Sequence, residues 1–481
     1  MSASAIYLTI VCCVMGAIFI FGLLSSRNIK DAEDWAVAGR GFGIIPLSGS
    51  YFATIVSATS IVSYMGYYYL QGWPGMWNFA GTLVTSFVAC LWVAKQMRKS
   101  GCATFPEYIE RRFGKTHALF GSLVILIGAI PLMAIQVRAS VIILQSFVDW
   151  STVTCCLIVL VVFIAFTALG GMKAVAWTDT LCAYVIIFGI WAVAIKYLGM
   201  VGGWDGMMSG IAKLNPNFTA AFSNKITPVT ALGWTATWGI CNFGAPHFVG
   251  RFLSATSPES ASRSQGVTAI MLGVFYFPLL VAGFCGMLIL PGIQKQDMVF
   301  STLMTKTLSP VIGGLMFAAV IAAIISTADS LLLLASTTWT HDIYKKVINP
   351  HISPKNELLL ARVSTVVIGI AGVSLTFVMK DTIQFINAQA VTLMGSTMAM
   401  LILIGAFNKH ITKTGAMASM IAGFITACVW YLLGQPFGIF TALPGSISAA
   451  IVMLVVSKFT KPMTPEELRP FFPEEKEDSI K

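Results

Sequence analysis

Charge is what this sequence has least of. Only 10% of its 481 residues are Asp, Glu, Lys or Arg, against 57% hydrophobic, where soluble domains carry roughly 25% charged residues. A water-facing surface of ordinary composition is excluded. Histidine is scarce, at 5 residues, and the 10 cysteines show no Cys/His spacing that suits zinc. Most of those cysteines, from Cys12 to Cys428, fall in apolar runs and read as small packing residues. No polar stretch is long enough for a soluble domain. His-Glu-x-x-His, a Ser-Lys nucleophile arrangement and paired catalytic carboxylates are all missing, so nothing supports an intramembrane enzyme. His247, beside Pro246, reads as a hydrogen-bonding group at a helix break. The net charge of +10 comes without a stacking or groove-reading module, so nucleic acid is not an expected partner. No covalent cofactor and no obligate protein partner are implied.

What is there is apolar sequence, with a mean hydropathy of +0.81. Runs long enough to cross a bilayer recur from end to end. They number 13: 4–24, 43–72, 75–97, 117–148, 152–170, 174–202, 229–250, 264–292, 309–340, 357–379, 382–407, 414–435 and 437–459. The first has neither a basic flank nor a small-residue cleavage site and is expected to persist as a helix. Lys and Arg choose the orientation. Alternate connections, with the C-terminal tail, hold 22 of them, from Arg27 to Lys481; the other set holds 5, namely Lys213, Lys225, Lys295, Lys306 and Lys380. The richer set is cytoplasmic by the positive-inside rule, which puts the N-terminus outside and the C-terminus inside. The expected fold class is an all-α polytopic protein of the plasma membrane with about 13 transmembrane helices. Residues 102–114 are expected to form a short interfacial helix after Pro106, or a loop. The tail beyond Lys461, rich in Pro, Glu and Lys, is expected to be disordered.

The run 322–330 (AAIISTADS) is the most informative feature. Ser326, Thr327, Asp329 and Ser330 sit inside an apolar segment, where polar groups are costly and tend to face a cavity or an ion path. Hydroxyl and carbonyl oxygens are what a hard cation needs. Helix–helix glue is the plain alternative. Two other segments are interrupted. The second run carries Ser48, Gly49, Ser50, Thr54, Ser57, Thr59, Ser60 and Ser63; the seventh carries Gly233, Gly239, Gly244, Pro246 and His247. Such density of Gly, Ser and Pro unwinds helices at membrane depth and frees carbonyls for ions and solute, or merely kinks them for packing. The two runs are five apart in order, as a five-plus-five inverted repeat would place them.

Several stretches resemble one family. These are Ala36–Arg40 (AVAGR), Phe105-Pro106-Glu107-Tyr108 with Arg112-Phe113-Gly114, Gly170-Gly171 with Trp177-Thr178-Asp179, Pro246-His247 with Arg251, and Asp342-Ile343-Tyr344. In this order they are similar to motifs of the sodium/solute symporters, which include sodium/proline, pantothenate and sodium/glucose carriers. The resemblance implies the leucine-transporter fold. It divides the chain into a first helix and cytoplasmic connection (1–42), a ten-helix core (43–407), two further helices (408–459) and a tail (460–481). It also implies sodium as the coupling ion, bound by carbonyls of Ala53, Val56 and Ala323 and hydroxyls of Ser326 and Thr327. Asp179 matches an acidic residue linked to coupling, as a second ion site or a point on the ion path. Its alternative is an ordinary residue near a helix end. Arg138 matches a frequent family arginine, expected to pair with a carboxylate or carbonyls. Asp329 matches no fixed ligand; it pairs with a polar neighbour, joins an accessory cation site, or is neutralised by burial.

Matched positions for the solute are Thr59, Ser60, Gln136, Trp238 and Asn242. Proline carriers have Asp at the position of Ile55 and Trp at that of Thr59, and sugar carriers have Glu at the latter; this chain has none of these. The pattern looks more like the pantothenate and monocarboxylate carriers. A small organic anion moved with sodium across the lipid bilayer is therefore the expected cargo. A proton-coupled, amino-acid or sugar symporter of the same fold, or a transporter-like sensor, is the alternative.

Overall fold

The computed structural model describes residues 2–26, 43–102, 104–169 and 172–472. The Ala36–Arg40 element, Gly170-Gly171, the side chains of Trp177 and Thr178, and the tail beyond 472 lie outside the described residues.

Every one of the apolar runs is helical. After α1 (Ala3–Ser26), the second run is a broken pair, α2 (Ile44–Ile55) and α3 (Tyr64–Gln71), joined through a π-turn at Thr59–Ser63. α4 (Trp73–Lys99), the interfacial α5 (Phe105–Phe113), α6 (Lys115–Gln145), α7 (Thr152–Leu169) and α8 (Met172–Met200) complete the first half. After α9 (Gly203–Leu214), the second half opens on another broken pair, α10 (Pro228–Gly239) and α11 (Pro246–Leu253). It continues with α12 (Pro258–Ile289), the short α13 (Val299–Thr307), α14 (Pro310–Thr337, prolonged as a π-helix to Ile348), α15 (Pro354–Val378) and α16 (Ile383–Leu403). α17 (Lys413–Leu432) and α18 (Ala442–Phe459) follow. Among the described residues 10 of these helices are long and apolar enough to cross a membrane, or 11 counting the bent pair 44–71. The other two expected spans, at α7 and at α10–α11, are shorter or broken, which is why length and composition alone do not count them.

Helix starts are written in the sequence. Thr227-Pro228, Ser257-Pro258 and Ser353-Pro354 each place a hydroxyl cap before a proline whose missing N–H costs the first turn nothing. Thr382 and Thr412 cap α16 and α17 through their hydroxyls without a following proline. Burial then sorts the helices. In α14, 83% of the apolar window is buried, against 11% in α1. The hydroxyls of 326–330 therefore sit at the centre of the bundle, while α1 lies at its edge.

Two glycines allow the close approaches that shape the centre. A Cβ on Gly49 would run into Thr180, whose Cα lies 2.8 Å from it, so α2 packs directly on α8. A Cβ on Gly244 would lie 2.6 Å from the Gly395 Cα, so the break before α11 nests on α16.

Of the C-terminal segment the described part, residues 461–472, packs against α5, and Phe471 is buried. Arg112, fully buried, lies 5.0 Å from the Phe113 ring, 5.7 Å from Phe471 and 5.3 Å from Phe472. The Gln96 amide donates to the Phe471 carbonyl at 3.3 Å. Two aromatic residues beside a charged tail are enough to anchor it, because a guanidinium over ring faces gains from the ring quadrupole. Phe471→Ala is expected to cost about 2–4 kcal/mol, read as a fall in the apparent melting temperature. An unchanged melting temperature would mean that this contact does not hold the segment.

Candidate functional site

Both broken helices part at mid-length. α2 ends at Ile55, and Val56 leaves helical geometry at φ −86°, ψ 82°, which turns its carbonyl away from the helix axis. The pair α2–α3 bends by 61° at this break. α10 ends at Gly239, passes a 3₁₀ turn at Cys241–Gly244, and restarts at Pro246. Neither break spans a full helical ladder, so carbonyls and N–H groups are left for other partners.

Three of the five sodium candidates, Ala53, Ala323 and Thr327, come together where α14 crosses the first break. The Thr327 hydroxyl donates to the Ala323 carbonyl at 3.0 Å and lies 3.5 Å from the Ala53 carbonyl. Ser326 points elsewhere: its hydroxyl donates to the Asp179 carboxylate. The other oxygen of that carboxylate accepts from Ser50 at 3.0 Å. Asp179 thus ties α2, α8 and α14 together, fully buried. Arg251, on α11, donates to the Ser330 hydroxyl at 3.0 Å, one turn from Ser326. Asp329 accepts from Thr167 of α7 at 2.8 Å, so it pairs with a polar neighbour. Among the described residues no three His, Cys, Asp or Glu side chains gather as a metal site; the sodium candidates are carbonyl and hydroxyl oxygens, which suit a small hard cation.

Beside the break lies a cavity of about 30 Å³, lined by Ile55, Ser57, Ser60, Gln136, Trp238, Asn242, His247, Tyr276, Thr327 and Asn387 among others. That is room for about two waters, so the walls must part to admit a solute. Four of the five solute candidates, Ser60, Gln136, Trp238 and Asn242, line it. Thr59 stands one layer back, accepting from the Asn387 amide at 3.0 Å.

The polar lining divides in two. Ser60 meets Tyr276 at 3.0 Å and the Trp238 indole donates to Asn78 at 3.0 Å. Gln136 Oε1, Asn242 Oδ1 and His247 Nδ1 are buried without a hydrogen-bond partner. A buried polar group left unpaired is costly, so these three are the groups with most to gain from a solute.

The sodium:solute symporter family profile matches residues 35–423. The chain belongs to this family. It is therefore a multi-pass membrane transporter coupled to sodium, and not an enzyme. Similar proteins include the sodium/proline symporter of Haemophilus influenzae, 26% identical over 467 residues, with 91% of each chain covered. The high-affinity proline transporter PutP of Bacillus subtilis is 26% identical, with 92% of this chain and 96% of that protein covered. Among solved structures, a Na⁺-coupled sialic acid symporter in a substrate-bound outward-open state superposes with a TM-score of 0.82 at 21% identity, covering 95% of this chain and 98% of that one. MhsT in complex with L-phenylalanine has the same fold at a TM-score of 0.52 and 13% identity.

Some of the symporter's site residues were not singled out from sequence. Ser50 is one of seven Ser and Thr hydroxyls in its run, and its aim at Asp179 depends on how α2 packs on α8. Tyr276 and Asn387 sit in runs read only as apolar spans. Arg251 was visible as a motif residue without a partner. Trp238→Ala is expected to weaken solute binding about 10-fold or more, because it removes a cavity wall and strands Asn78; a fall in protein amount with unchanged affinity would make Trp238 a packing residue.

Proposed function

We propose that this symporter carries a small organic monoanion, such as pantothenate or another monocarboxylate, together with sodium by alternating access. One observation carries the reading: Thr327 lines the cavity, and its hydroxyl lies 3.5 Å from the Ala53 carbonyl and 3.0 Å from the Ala323 carbonyl, both in the ion set assigned below. Ion and solute then share a side chain. Sodium should tighten the solute and the solute should tighten sodium by the same factor.

An anion fits the charge balance once sodium is bound. Among the described residues the cavity wall carries no Asp, Glu, Lys or Arg. A carboxylate entering it is compensated by the neighbouring sodium ion and by the N-terminal end of the half-helix that begins at Thr59. An ammonium group would find no carboxylate, since Ile55 occupies that part of the wall. Amino-acid symport is the second reading, because relatives are named for proline. We assign Ala53, Val56, Ala323, Ser326 and Thr327 to the sodium site and Asp179 to a second ion position or the ion's exit path. The Ser50–Asp179–Ser326 chain supports that role, since it leads from the proposed site along α2. Thirteen spans with the N-terminus outside complete the reading.

Proteoliposomes with an imposed sodium gradient test it. Accumulation of a labelled monocarboxylate, with no accumulation in potassium, is the expected result. Accumulation of proline instead would favour the second reading. Uptake driven by a pH gradient alone would replace sodium by protons.

A further inference from the structure

On the other side of the cavity from Asp179, the loop before α13 carries a second buried carboxylate. Asp297 is only 5% exposed. The Ser63 hydroxyl donates to its Oδ1 at 2.6 Å, and the Ile383 N–H donates to its Oδ2 at 3.1 Å. Arg138 of α6 stands 3.6 Å from the same oxygen and donates to the Asp381 carbonyl at 2.6 Å. The Gln296 amide donates to the Ser63 carbonyl at 3.1 Å and to Gln384 Oε1 at 2.7 Å. Four separate pieces of chain meet here: the π-turn of the first broken helix, α6, the loop before α13, and the start of α16. One turn deeper, Asn387 of α16 reaches Thr59 of the same π-turn. The outer half of the broken helix is thus bolted to α16 twice, once at the cavity and once above it.

We propose that Ser63, Arg138, Gln296, Asp297 and Gln384 form the latch of the outer gate, holding the cavity shut from outside and parting when solute enters. They are positioning residues; none touches the ion or the solute. The proposal rests on the symport reading and on the orientation given by the basic connections, which puts Lys295 and Lys380, flanking this cluster, outside.

The chemistry suits a contact that must open and close. Burial pushes the Asp297 carboxyl above the ordinary carboxylate range, while Ser63, the Ile383 N–H and Arg138 pull it down. An isolated buried charge would be prohibitive, but here every oxygen is met while the gate is closed. Arg138 is already 24% exposed. Parting the elements lets water replace the lost bonds on both charges, so the open state is not left with a bare ion. A purely structural ion pair in the bundle centre would have no such route to water.

A cysteine reporter in the cavity tests the latch without knowing the solute. Leu132→Cys lies on the wall, and its labelling by a membrane-impermeant maleimide added outside is measured by mass spectrometry, in sodium-free potassium buffer. Combining it with Asp297→Asn is expected to speed labelling about 10-fold, the effect of weakening one or two charge-assisted hydrogen bonds. Ser63→Ala, which keeps both charges, should act in the same direction and serves if the first variant does not fold. Retained thermal melting of each variant confirms the fold. Unchanged labelling in a folded variant overturns the latch, and labelling that rises only with reagent inside overturns its placement. Faster outside labelling in a protein that sodium does not stabilise would leave the gate standing and remove the coupling reading instead.

Discussion

Thr327→Ala is expected to raise the sodium concentration for half-maximal uptake by about 10- to 100-fold, the scale of losing one ligand worth about 1.5–3 kcal/mol to a charge. The Thr327 hydroxyl reaches toward both a broken-helix carbonyl and an α14 carbonyl. Alanine leaves Ala53 and Ala323 in place but removes the hydroxyl between them. The solute should also bind more weakly at a fixed sodium level, because Thr327 lies in the cavity wall. Ser326→Ala should shift sodium dependence in the same direction. Its hydroxyl is held by Asp179 in this closed arrangement, so the ion must draw it away, and the shift should be the smaller of the two. Sodium dependence unchanged in both variants, measured by initial rates across a sodium titration, would remove the proposed site.

Asp179→Asn is expected to reduce sodium-driven accumulation by about 100-fold or more while sodium-independent solute exchange survives. The carboxylate accepts from hydroxyls on two different helices, Ser50 and Ser326. Asparagine keeps the shape but loses the charge, and with it the counter-charge for Arg251 on α11. Removing one partner of a buried charged set costs about 3–5 kcal/mol, which is about two to four decades in an equilibrium. The discriminating readout is the ratio of accumulation to exchange at equal protein amount. A normal ratio with a lowered yield of folded protein would make Asp179 a structural residue.

Much of this architecture is legible in the sequence because a bilayer narrows the choices. Hydrocarbon tolerates helices and closed barrels, so the apolar runs fix where the helices lie to within a few residues. The breaks at 56–58 and 240–245 were announced by Gly, Ser and Pro, since those residues either fit an unwound backbone or compete for its hydrogen bonds. What sequence did not reveal is which side chains meet. Arg138 is read as needing a carboxylate or carbonyl, but Asp297 lies in a loop far along the chain, and only packing of α6 beside that loop brings them together. Asp329 had three open roles until Thr167 of α7 met it. Pro, Glu and Lys dominate the composition of the tail, and the two phenylalanines that pack on Arg112 carry too little weight in such an average to show. Position matching puts Thr59 among the solute candidates but does not show that the π-turn brings its hydroxyl to the Asn387 amide.

Thermal stabilisation of the purified protein by sodium, across small carboxylates, amino acids and sugars, tests ion–solute linkage most directly, since any ligand of the native state raises its apparent stability by mass action. A monocarboxylate that raises the melting temperature in proportion to sodium, and does nothing in potassium, is the predicted result. Stabilisation by a carboxylate to the same extent in sodium and potassium, or by no carboxylate at any sodium concentration, would contradict it.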